Sequence, residues 1–254
     1  MENQPKLRNA KQYIDHDLYP LNTFPDDLIT KIGGYLTYLI YIGRKDISGS
    51  DWGDAFAGSI GGRHLDAPVG IEDVVFGNSC WSMKTVKEKD PFGCTGVRLI
   101  SGRCSPDYSF GIMNPHEDIQ KTGEAVLNIW NERVKIAKRN FDRIRTCVLI
   151  RGYDLLNYVL FEEETKTYNP EDYTWKANGN GNFIGMDGSG RICFTWQPHG
   201  SQFTIHTDVP QNAVKFSLKK PPVLKVENVL ENIRFDGSWI SAFDQILFPA
   251  TLWA

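Results

Sequence analysis

The chain of 254 residues lacks any Cys-x-x-Cys pair; its five cysteines, Cys80, Cys94, Cys104, Cys147 and Cys193, are scattered and odd in number. That argues against a zinc knuckle or a disulfide frame and for reduced thiols in a cytoplasm. Long apolar runs are missing too. The longest, YLTYLIYIG (35–43), is far too short to cross a bilayer as a helix. The opening MENQPKLRNAKQYIDHD holds no continuous apolar stretch of the kind a secretory signal carries. Excess positive charge is absent: a formal net charge of −3 excludes a histone-like polycation, though not a local basic cleft. The histidines form no His-x-His or His-Glu-x-x-His; His64-x-Asp66 is a weak pair of potential ligands. The segment NGNGNFIGMDGSG is glycine-rich but matches neither a Walker A loop nor a dinucleotide fingerprint, and no Gly-x-Ser-x-Gly occurs. The expectation is a soluble, cytoplasmic protein with no membrane partner.

What is present suits a globular domain. Hydrophobic residues make up 41% and charged residues 23%, and seven Trp, ten Tyr and fourteen Phe supply a sizeable core. FPDDLITKIGGYLTYLIYIGRKD reads as a helix, and SGSDWGDAFAGSIGGRHL as a shorter one capped by Ser50 and ended by Gly61-Gly62. GIEDVVFGNSCWSMKTVK then holds two strand-like runs about a Gly-Asn-Ser turn, with a further strand at 97–103. From Pro115 to Arg145 the apolar residues Ile119, Val126, Trp130, Val134, Ala137 and Phe141 share one helical face. TCVLIRG (146–152) has the all-apolar character of a central strand. The remainder is β-rich, with 176–190 as a mobile loop and a return to helix after Pro221-Pro222. The fold class expected is mixed α/β: a central mixed β-sheet flanked by helices, with a β-rich C-terminal extension. The division is 1–49 as an N-terminal helical region, 50–152 as the core, and 153–254 as a β-rich lobe.

Chemistry concentrates in the two runs around residue 78. Side chains alternate along a strand, so Cys80, Ser82 and Lys84 share one face. A hairpin would set Asp73 beside Lys84, with Glu72 pointing away if the strand is regular. A carboxylate and an ammonium there can hold a hard divalent cation, orient or deprotonate a water, and offset phosphate charge. The plain alternative is a half-buried ion pair.

These residues resemble the PD-(D/E)xK nucleases, a family that includes many type II restriction endonucleases. The family places an acid at the head of one strand and an acid-x-Lys on the next, after a helix and before a long helix and a strand. Here IED (71–73) and SMK (82–84) stand in those places, and the resemblance covers about residues 50 to 152. Ser82 stands where the family has its second acid, and no proline precedes Asp73. The resemblance implies a restriction-endonuclease-like core and Mg²⁺-dependent hydrolysis of double-stranded DNA. It makes Asp73 a metal ligand, with Ser82 and Lys84 beside it in the catalytic set and Lys84 positioning the attacking water. Asp54, on the preceding helix, is the candidate for the missing acid, and Glu124 the second. A palindrome reader is commonly a homodimer, and a DNA methyltransferase is the expected genetic partner.

Phosphate contacts are expected from Lys87, Lys89, Arg98 and Arg103, and from some of the cations between Arg133 and Arg145. Base reading is expected from Gln197, His199, Ser201 and Gln202 in TWQPHGSQ. Pro106-Asp107 is read as a turn. Two other functions fit the same residues: a non-catalytic nucleic-acid-binding protein, for which Ser82 marks a dead site, and a small-molecule α/β enzyme in which Asp73 and Lys84 are only an ion pair.

Overall fold

The structure is a computed structural model and describes residues 18–65 and 71–240. Asp66, and with it the His64–Asp66 pair, lies outside the described residues, as does the opening segment.

Helix α1 (Asp26–Tyr41) buries Leu28, Ile32, Leu36 and Ile40, four residues apart and so on one stripe. Each such burial is worth about 1.5–3 kcal/mol, which is what holds a lone amphipathic helix down. Helix α2 (Gly49–Ile60) is capped by Ser48 rather than Ser50: the Ser48 hydroxyl accepts from Asp51 N, and the Asp51 carboxylate accepts from Ser48 N. It ends where Gly61 takes φ +69°, as a left-handed C-cap requires.

The first sheet contains β1 (Arg63–His64), β2 (Val74–Phe76), β3 (Ser79–Glu88), β5 (Arg143–Gly152), β6 (Asn157–Glu164) and β11 (Val214–Ser217). Its order is β1-β2-β3-β5-β6-β11. β1, β2 and β3 form an antiparallel meander, and β5 lies parallel to β3 after a crossover through α4 (Ile119–Asn140). Helices α1 and α2 cover one face, against Trp81, Met83, Cys147, Leu149, Tyr158 and Leu160.

The second sheet contains β4 (Gly96–Arg103), β7 (Thr174–Ala177), β8 (Phe183–Met186), β9 (Ile192–Gln197) and β10 (Gln202–Asp208), ordered β4-β10-β9-β8-β7 and antiparallel throughout. With α4 it covers the other face of the first sheet. One apolar cluster joins Cys80 and Ile144 to α4 and to Phe194, Trp196 and Phe203; another joins Val148, Ile150 and Phe161 to Val97 and Leu99 of β4. Gly123 of α4 lies directly under the Trp175 ring, where a Cβ would sit 2.2 Å from its carbons, so β7 approaches only because that residue is glycine.

The protein is thus mixed α/β with two sheets, but the chain does not divide at residue 152. β4 leaves the first sheet to join the second, while β6 and β11 complete the first. The segment read as a loop at 176–190 contains the end of β7 and all of β8, and Pro106–Phe110 is a short helix, α3, rather than a turn. The expected return to helix is α5 (Val226–Asn232). No described helix is long and apolar enough to cross a membrane.

Candidate active site

The β2–β3 hairpin closes through Gly77 and Asn78, with Gly77 at φ +53°, the positive value that tight hairpins use. Asn78 O accepts from Asp142 N and Arg143 N, which fixes the start of β5 beside the turn. Pairing of Val74 with Trp81 continues one residue further, since Asp73 N donates to Trp81 O at 3.0 Å. Asp73 therefore stands opposite Ser82, with Lys84 one step along the same face.

All three polar groups converge on one oxygen. Asp73 Oδ2 accepts from Met83 N at 2.7 Å and from Ser82 Oγ at 3.4 Å, and lies 4.0 Å from Lys84 Nζ. Among the described residues nothing donates to Oδ1. The side chains of Lys84 and Asp73 are 18% and 27% exposed, between the open surface and a dry interior. Burial holds the Lys84 ammonium below the ordinary lysine pKa, and the Asp73 charge offsets part of that. A pair at 4 Å gains roughly 4 kcal/mol at an effective dielectric of 20. Removing two ions from water costs several kcal/mol each, so this pair is a poor device for stability.

The setting is a polar seam between two apolar clusters. Ser82 pairs in register with Thr146 of β5, and Thr146 with Glu163 of β6, so Asp73, Ser82, Thr146 and Glu163 form one row across the sheet. Thr146 Oγ1 and Thr165 Oγ1 share a hydrogen bond of 2.8 Å, and Glu163 Oε2 accepts from Thr207 Oγ1 of the second sheet.

Strand β2 begins only at Val74, so its alternation does not govern residue 72. Burial, followed by the charges of Glu72 and Asp73, pushes the Cys80 thiol up to about 12. Cys80 lies on the same face as Ser82 and Lys84.

Asp54 does not join them. It sits on α2, whose Trp52 and Phe56 pack on the opposite face of the sheet, and its side chain, 72% exposed, bonds His64 Nδ1 at 2.7 Å. Glu124 is held by Gln120 Nε2 at 2.9 Å, and that glutamine is tied to β7 through Tyr173 O and Trp175 N. Neither bonds Asp73 among the described residues. No group of three or more His, Cys, Asp or Glu is gathered among the described residues.

The expected nucleic-acid contacts separate into two sets. Gln202 pairs in register with both Arg103 and Gln197, Arg98 pairs with His206, and Cys104 N donates to Ser201 O. With His199 in the same turn, Arg98, Arg103, Gln197, Ser201 and Gln202 thus belong to the second sheet and its β9–β10 hairpin. Lys87 does not: an odd position of β3 turns it to the α1/α2 face, where it meets Asp46 Oδ2 at 3.4 Å and lies 5.1 Å over the Tyr153 ring. Arg143 and Arg145 are on β5, not on the helix, and Arg145 is buried in a pair with Glu162.

Compared with known proteins, the chain matches no protein-family model, no curated protein and no solved structure.

Proposed function

We propose that the protein is a divalent-metal-dependent endonuclease cutting double-stranded DNA in the manner of a type II restriction enzyme, with Asp73, Ser82 and Lys84 at its centre. The observation that carries the reading is the meeting of Asp73 and Lys84 across a hairpin, partly open to solvent, with one carboxylate oxygen fixed by a backbone N–H and the other unengaged among the described residues. The order of elements supports it: a helix, an antiparallel meander bearing the acid and the lysine, a long crossover helix, and a strand parallel to the lysine strand.

The donor set fits Mg²⁺, which is commonly held by one or two carboxylates, several waters and substrate phosphate. Asp73 Oδ1 is the protein group that would hold it, with waters and substrate phosphate completing the shell. When bound, the ion would stabilise charge developing on the phosphate and the leaving oxygen. Lys84 orients the attacking water as the ammonium, or takes its proton as the neutral amine that burial favours. Ser82 and Met83 N keep the Asp73 carboxylate turned toward that water. Homodimeric action on a palindrome, a cytoplasmic setting and a methyltransferase encoded nearby belong to the same proposal.

Incubation with phage DNA, in Mg²⁺ and in EDTA, tests it on a gel. Discrete fragments in Mg²⁺ alone are expected. A mobility shift without cutting favours a non-catalytic DNA-binding protein, and no effect of any kind favours a small-molecule enzyme.

A further inference from the structure

We propose that the outer face of the second sheet is a docking platform for the phosphate backbone of double-stranded DNA. The sheet has two unlike sides. Its aromatic residues Trp175, Phe183, Phe194, Trp196 and Phe203 all point inward, into the core shared with α4. The outward positions follow from register: Arg98 opposite His206, Arg103 opposite Gln202, Gln202 opposite Gln197, and Lys176 in a row with Ile184, Thr195 and Thr204. Helix α4 meets this sheet through Trp175, on the inner side; on the outer side Thr195 and Thr204 at the centre are buried, while Arg98, Ile100, Arg103 and Lys176 around them are exposed.

Charge names the occupant. Arg98, Arg103 and Lys176 are exposed and have no carboxylate partner among the described residues. Arg191, at the edge, is already neutralised by Asp208 at 2.9 Å. Three unbalanced cations on one face of a chain whose net charge is −3 form a local field that attracts polyanions. From β4 to β7 the face spans about 19 Å at roughly 4.8 Å per strand, enough for a run of phosphates. Gln197 and Gln202, half-buried between the cations, offer amide groups that suit phosphate and sugar oxygens.

These outward positions carry no Trp, Tyr or Phe. Binding of single strands relies on stacking unpaired bases on such rings, so the platform discriminates in favour of the duplex. It lies on the side of the second sheet turned away from Lys84. Lys176 belongs to no motif; only the strand register brings it onto the face of Arg98. Naming DNA as the occupant rests on the nuclease reading above.

The test is fluorescence anisotropy of a labelled DNA duplex in EDTA, where cutting is silent, between about 50 and 200 mM salt. Arg98→Ala, Arg103→Ala and Lys176→Ala combined should weaken binding tenfold or more. The slope of log affinity against log salt should flatten by about 0.9 for each phosphate no longer neutralised. Unlabelled single strand of the same length should compete poorly. Unchanged affinity and slope in the triple variant, equal competition by single strand, or no duplex binding by the native protein at low salt would each overturn the platform. Circular dichroism checks that the exposed substitutions leave the fold intact. Failure of the native protein to cut in Mg²⁺ while the triple variant loses binding removes the nuclease reading and leaves the platform. Cutting that Asp73→Ala abolishes, with duplex binding unaltered in the triple variant, removes the platform and leaves the nuclease.

Discussion

Two ion pairs occupy opposite faces of the first sheet. On the α1/α2 face, Arg145 Nη1 lies 3.1 Å from Glu162 Oε2, with side chains 6% and 0% exposed. Glu162 Oε1 also accepts from Tyr19 OH at 2.6 Å and Trp81 Nε1 at 2.7 Å, and Arg145 donates to Tyr19 O at 3.0 Å. On the other face, Asp73 and Lys84 are 4.0 Å apart, partly open to solvent, and one carboxylate oxygen accepts nothing from the described residues. The first pair has its hydrogen bonding completed by surrounding donors, as a structural pair must. The second keeps its capacity in reserve, and that difference is why only the second reads as a site.

Breaking the completed pair should have the largest effect on folding. Arg145→Ala strands a buried carboxylate and should cost about 3–5 kcal/mol in urea unfolding. Lys84→Ala should cost only about 1 kcal/mol, because Asp73 retains solvent and a backbone donor. Equal losses from the two substitutions would erase the distinction.

Activity should rank the other way. Asp73→Ala and Lys84→Ala should each lower Mg²⁺-dependent cutting by about 10²–10³-fold with unfolding midpoints near native, as expected when a preorganised charge is removed. Native-rate cutting by Asp73→Ala would put the chemistry elsewhere.

Acidity probes the completed pair separately. Burial raises the Glu162 pKa above the usual 4.5, against the lowering effects of Tyr19 and Arg145. A carboxyl whose folded pKa is raised holds more protons in the folded state than in the unfolded one, so its contribution is present below 4.5 and is lost as pH rises through the folded value. The stability difference between native protein and Glu162→Gln should therefore move against the native protein on raising pH from about 4 toward neutrality. A difference flat with pH would show that the donors around Glu162 fully offset its burial.

Local rules made part of this legible. The stripe on α4 was readable because Val126, Trp130, Val134 and Ala137 are all buried on one side. The hairpin was readable because a Gly-Asn turn separates two apolar runs. Partner choice was not. β4 alternates like any half-buried strand, and nothing in a period of two says which sheet it joins. The strands β7 and β8, four residues each among glycines and asparagines, carry too short a pattern to stand out from turn chemistry. Asp54 was misjudged because helix order does not say which face of the sheet a helix covers. Ser48 outranks Ser50 as a cap because Asp51 lies three residues after it, the reciprocal spacing that a capping box needs.

The smallest effect should come from the lysine three positions after Lys84. Lys87 and Lys84 differ in parity, so one serves the α1/α2 face and the other the site. Lys87 shares Asp46 with Arg151, whose Nε lies 2.7 Å from Asp46 Oδ1. The bond to Arg151 is the main reason that the Asp46 carboxyl is lowered to about 2. Its stabilising contribution is present above 3.8 and lost as pH falls toward 2. Because Asp46 is 48% exposed, solvent screening reduces that contribution to about 1 kcal/mol, the loss expected for Asp46→Asn at neutral pH. Lys87→Ala removes only the longer, more solvated partner and should cost under about 0.5 kcal/mol, with duplex affinity unchanged in the anisotropy titration. A tenfold loss of affinity in Lys87→Ala would mean that DNA reaches the α1/α2 face, and that parity along β3 does not separate the structural lysine from the functional one.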